Sequence, residues 1–105
     1  MITLVRTGTV ALGKTREAMA FAHQITKMVE AKAGIKINIG LPIGGNPNRI
    51  TWVASYDNLT AFESATSKLL TDADYMELTE SAAPYFVSVH DELWTWLPPE
   101  DVKAA

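Results

Sequence analysis

Residues 85–97, Tyr85 to Leu97, read as one strand, rich in Val, Phe and Trp and stopped by Pro98-Pro99, which cannot continue a hydrogen-bonded ladder. Side chains alternate along a strand. Val87, Val89, Leu93 and Leu97 therefore share one face, while Phe86, Ser88, His90, Glu92, Trp94 and Trp96 share the other. Both faces carry large apolar groups. A two-layer monomer covers one face of its antiparallel sheet and leaves the other polar toward water. An uncovered patch of two Trp and a Phe exceeds the few hundred Å² a monomer ordinarily exposes. The simplest completion is a twofold homodimer with sheets face to face, each chain supplying half of a barrel. The competing reading leaves Trp96 at a strand end under the C-terminal tail.

The remaining segments fit one sheet with helices on its covered side. Ile2 to Val10 is rich in Ile, Val, Leu and Thr and reads as a strand. Lys14 to Ala33 contains neither Pro nor Gly. At helical spacing, Ala18, Phe21, Ile25, Met28 and Val29 form one apolar stripe opposite Arg16, His23, Lys27 and Glu30. Lys32 and Gly34 supply the late positive charge and the glycine stop of a helix C-terminus. Lys36 to Ile43 alternates, Gly44-Gly45-Asn46-Pro47-Asn48 is a turn cluster, and Arg49 to Tyr56 resumes strand character, which predicts an antiparallel hairpin. Asp57 or Asn58 can cap a second helix bearing Leu59, Phe62, Thr66, Leu69 and Leu70. Asp72 restarts a short one with Tyr75, Met76 and Leu78, which ends at Pro84. The order is β-α-β-β-α-β, an α+β ferredoxin-like fold with a four-stranded antiparallel sheet and helices on one face. Residues 1–98 form a single domain and 99–105 a flexible tail.

The chain has 105 residues, 48% of them apolar, a formal charge of −3 and no Cys. That length holds one modest core. The acidic balance argues against nucleic acid as a partner, and the missing Cys removes disulfides, thiolate metal sites and a Cys nucleophile. No apolar run approaches the roughly 18 residues that would span a bilayer, and no targeting segment is legible, so the expectation is a cytoplasmic protein without a membrane partner.

Gly8-Thr9-Val10-Ala11-Leu12-Gly13-Lys14-Thr15 satisfies the phosphate-loop pattern G-x-x-x-x-G-K-[ST]. Its apolar, β-branched interior reads better as strand continuation, and an antiparallel hairpin does not belong to a phosphate-loop domain. His90 carries more interest. With Ser88 and Glu92 at i±2 it forms a polar line beside Phe86 and Trp94, the composition of a small ligand pocket. His90 and Glu92 can serve as a general acid–base pair, His90 can ligate a metal or haem, or the line is a buried polar ladder satisfied across a dimer axis. Arg6, on a strand face with Leu4 and Gly8, can anchor a ligand oxygen or form an ion pair at the sheet. No acidic cluster has calcium-loop spacing, and no metal or cofactor is expected.

Arg6-Thr7-Gly8, Gly13-Lys14, Gly44-x-x-Pro47-Asn48-Arg49-Ile50 and Ser55-Tyr56-Asp57-x-Leu59, in that order, resemble the NIPSNAP-like members of the dimeric α+β barrel superfamily. Gly8 stands where that pattern has Tyr. Ala54 stands where it usually has Trp, and Trp52 lies two positions earlier. The resemblance implies a homodimer whose barrel holds a small, often aromatic ligand. Some superfamily members are cofactor-independent monooxygenases of aromatic polyketides or quinols, and some degrade haem with an Asn on the first strand and a His on the second helix. Neither residue is present here, so haem cleavage is not implied.

These readings converge on a homodimer that binds a small, largely apolar or aromatic molecule. Arg6, Asn38, Trp52, Ser88 and Trp94 are the expected ligand-binding residues, and His90 and Glu92 the expected catalytic pair. The first alternative is a cofactor-independent monooxygenase in which His90 takes a proton from a phenol or quinol. The second is a structural dimer without a ligand.

Overall fold

A computed structural model describes residues 1–99. The expected tail therefore lies, Pro99 apart, outside the described residues. The chain forms β1 (Ile2–Val10), α1 (Thr15–Ala33), β2 (Ile37–Gly40), β3 (Arg49–Tyr56), α2 (Leu59–Leu70), α3 (Ala73–Ser81), a 3-10 turn (Ala83–Tyr85) and β4 (Phe86–Thr95). The four strands make one antiparallel sheet in the order β2-β3-β1-β4. This is the expected α+β, ferredoxin-like arrangement, with the second helical region split in two at Thr71–Asp72.

Local chemistry sets the element ends. Gly34 takes a left-handed φ of 68° and its N–H donates to the Glu30 carbonyl at 3.0 Å, closing α1 as a glycine cap does. The Asn58 side chain, not Asp57, accepts from the Ala61 N–H at 2.8 Å and starts α2; Asp72 accepts from the Tyr75 N–H at 2.9 Å and starts α3. β2 is shorter than expected. It ends at Gly40 rather than Ile43, and Leu41 and Ile43 are exposed in the connection to β3. The phosphate-loop pattern is likewise dissolved by the backbone, because Gly8 and Thr9 are strand residues paired on both sides and Val10 is a strand residue paired with Phe86.

The core lies between the sheet and α1. Ala18, Phe21, Ala22, Ile25 and Val29 are buried against Ile50 and Trp52, as the helical stripe predicts. A second cluster of Ala54, Tyr56 and Ala65 continues it under α2. Cross-strand register assigns Leu4, Arg6 and Gly8 of β1, with Val89, Asp91 and Leu93 of β4, to this helix-facing side. Thr3, Val5, Thr7 and Thr9 face the opposite way with Thr51, Val53, Ser55, His90, Glu92 and Trp94.

One expectation is corrected. Strict alternation puts Phe86 on one face with Ser88 and His90. A bulge between Thr9 and Val10 shifts the β1–β4 register so that Val10 pairs with Phe86, and the Phe86 ring joins the helix-side core.

Candidate functional site

The helices cover β2, β3 and the Val10 end of β1 but not the edge strand β4, whose residues from Val87 onward are exposed. The uncovered half of the helix-facing side opens into a cavity of about 870 Å³. Its walls include Leu4, Phe21, Ile25, Trp52, Phe62, Leu69 and Phe86, and its polar groups include Arg6, Tyr56, Tyr75 and Asp91.

Phe21, Trp52 and Phe86 form one wall, each ring meeting the other two edge-on with centroids 5.8–6.2 Å apart. Gly8 permits this packing. A Cβ there would lie 2.7 Å from the Phe86 ring and 3.4 Å from Trp52. The position that carries Tyr in the resembling pattern is thus empty of side chain, and two rings from β3 and β4 occupy the space. Tyr56 and Phe62 make a further edge-on pair at 5.2 Å.

Arg6 is bound across the β1–β4 pair. Its Nε donates to Asp91 Oδ1 at 2.7 Å and its Nη2 to Asp91 Oδ2 at 2.8 Å, a bidentate fork. Arg6 hydrogen bonding holds the Asp91 carboxyl below the usual carboxylate range, against the opposing effect of its partial burial. The guanidinium is correspondingly fixed in its charged form, with Tyr75 also within its electrostatic reach. Burial pushes the Tyr56 hydroxyl upward, opposed by Arg6 and reinforced by Tyr75. Both tyrosines are at least nine-tenths buried. Four polar heads from β1, β3, α3 and β4 therefore meet in a mainly apolar cavity.

The expected site residues divide between two faces. Arg6 and Trp52 line the cavity, and Ser88 borders its rim next to the bulge. His90, Glu92, Trp94 and Asn38 sit on the other side of the sheet, where Thr7 pairs with His90, Val5 with Glu92 and Thr3 with Trp94. Trp96 turns onto that same open face, its Nε1 donating to Thr3 Oγ1 at 2.8 Å. Tyr56, Tyr75 and Asp91 were not expected at a site. Asp91 had a legible signal, as the single acid among Val89 and Leu93 on one strand face, opposite the single base among Leu4 and Gly8. The tyrosines had none, because their meeting with Arg6 depends on how α3 packs against α1 and α2.

No family model and no curated protein matches the chain. Solved structures do. An uncharacterised NIPSNAP domain protein from Burkholderia xenovorans superposes with a TM-score of 0.82 at 16% identity, covering 95% of this chain and 100% of that one. A NIPSNAP family protein from Agrobacterium tumefaciens gives 0.80 at 14% identity, covering 92% and 86%. An antibiotic biosynthesis monooxygenase-like protein from Nitrosomonas europaea gives 0.71 at 14% identity, covering 92% and 99%. At these identities the likeness is one of fold.

Proposed function

We propose that this chain, which has the fold of NIPSNAP domain proteins, binds a small, largely apolar or aromatic molecule in the cavity between its sheet and helices, and does so as a homodimer joined through the open sheet faces. The observation that carries the binding reading is the cavity itself: about 870 Å³, walled by aromatic and aliphatic side chains and furnished with a few convergent polar groups. A core that merely filled itself would close this space, since interiors pack with few voids larger than a water. The dimer reading is supported by Trp94 and Trp96, about half exposed on the side away from the helices. His90 and Glu92 would then meet the partner sheet, as a polar ladder or as an acid–base pair facing the barrel interior. The monooxygenase alternative, if it operates in the cavity, must draw its proton-handling groups from Tyr56, Tyr75 and Asp91.

A neutral fluorescent probe, N-phenyl-1-naphthylamine, tests the binding reading. Titration should give a saturable rise in emission at one site per chain. Ala54→Phe, which sets a ring against the cavity wall, should weaken it at least tenfold. Absence of saturable binding by the folded protein overturns the proposal.

A further inference from the structure

The cavity's polar end has an unusual charge balance. Arg6 is the cation lining it, and its Nε and Nη2 are both engaged by Asp91 at 2.7 and 2.8 Å. The pair is therefore neutral as a unit, and an entering anion would meet the Asp91 carboxylate as closely as the guanidinium. What remains is donor capacity. The fork takes two of the guanidinium's five donors, and Tyr75 lies within hydrogen-bonding reach of the same group. The hydroxyl of Tyr56 has no side-chain hydrogen-bond partner among the described residues. Tyr56 and Tyr75 both line the cavity, although each residue is at least nine-tenths buried. Burial favours the protonated form of Tyr56, which keeps it a donor.

Resting on the cavity-binding reading above, we infer that the Arg6–Tyr56–Tyr75 end of the cavity recognises a neutral carbonyl oxygen, as in a cyclic or aromatic ketone, and discriminates against carboxylates. The ring of such a ligand lies toward Phe21, Trp52 and Phe86. Its oxygen accepts from the half-exposed Arg6 guanidinium and from a tyrosine hydroxyl on a buried residue, where a donor without an acceptor is costly. Asp91 sets the discrimination. It consumes the positive charge that a carboxylate would need and leaves the directional donors that a carbonyl uses.

Three matched probes test this by calorimetric titration of the intact protein at pH 7.5: tetralin, 1-tetralone and tetrahydro-1-naphthoate. They share one ring system and differ in the oxygen group. The ketone should bind about tenfold tighter than the hydrocarbon, although it is the more water-soluble, and the carboxylate no tighter than the hydrocarbon. The double variant Tyr56→Phe/Tyr75→Phe keeps both rings and should erase the ketone's advantage while leaving tetralin binding intact. Asp91→Asn frees the Arg6 charge and should raise carboxylate affinity at least tenfold. Equal binding of tetralin and tetralone overturns the carbonyl assignment while leaving the cavity reading standing. Tightest binding by the carboxylate in the unaltered protein also overturns the assignment. Failure of all three probes overturns the assignment together with the cavity reading.

Discussion

Gly8 shows how one missing side chain shapes the candidate site. Its φ is ordinary for a strand, so the residue is required for space rather than for backbone freedom. A methyl group at that position would come within 2.7 Å of the Phe86 ring, well inside van der Waals contact. Phe86 cannot retreat without breaking its edge-on contacts with Phe21 and Trp52. Gly8→Ala is therefore expected to destabilise the fold by about 1–3 kcal/mol, as overpacking of a filled site does. The urea midpoint measures it, and Gly8→Ala/Phe86→Leu should recover part of the loss. A neutral effect of the single change would mean that the aromatic wall is looser than its geometry indicates. Trp52 Nε1 illustrates the opposite situation, a buried donor without a partner among the described residues, whose burial is outweighed by the area its ring removes from water.

Among the elements, β4 decides most. It is a ten-residue edge strand that pairs only with β1 among the described residues, and the Arg6–Asp91 fork ties the two side to side. Both side chains of the pair are more than a third exposed, at 40% and 46%, so its contribution is that of a solvent-screened bridge, no more than about 1 kcal/mol. Its pH dependence has a definite sign. The folded protein holds the Asp91 carboxyl below its unfolded value of about 3.9. The stabilisation is therefore full above that value and is lost as the pH falls through it toward the depressed folded value. Asp91→Asn should lower stability modestly at pH 7, and the gap from the unaltered protein should close toward pH 2. Urea titrations at a series of pH values read this directly, and a gap that persisted in acid would refute it. The bulge opposite Val10 is the second decision made by β4. It brings Phe86 into the aromatic wall, whereas uninterrupted alternation would have left that ring on the open face.

For the whole molecule, the sheet carries two distinct surfaces. The helix-facing side holds the core and the cavity. The open side holds a field of Thr and Val from β1 and β3, with His90, Glu92 and two tryptophans. Thr7 with Thr51 and Thr3 with Ser55 form hydroxyl pairs across the strands at 3.1 and 3.3 Å, giving a surface of small side chains flat enough for a second sheet to approach. If the proposed dimer forms there, sedimentation at micromolar concentration should give twice the chain mass of 11.5 kDa. Trp94→Glu, which places a charge on that face, should shift the protein to monomer without unfolding it. A monomer before the substitution would overturn the proposed assembly. Among the described residues no helix is long and apolar enough to cross a membrane.

Much of this architecture is legible in local pattern. Strand alternation, the Ala18–Phe21–Ile25–Val29 stripe, the caps at Asn58 and Asp72 and the stop at Gly34 are properties of neighbouring residues, and they fix β1, α1, β3 and the order of elements. The site is legible only in part. Arg6 and Trp52 announce themselves by residue type, but Asn38, His90, Glu92 and Trp94 share with them a strand composition, not a face. A face is assigned by pairing across the sheet, and pairing here joins residues as far apart as Arg6 and Asp91. The convergence of Tyr56 and Tyr75 on that pair depends further on how α3 packs against α1 and α2. Local spacing specifies which side chains can share a side of one element. Which elements bring their sides together, and what space they leave between them, is settled by the packing of the whole chain.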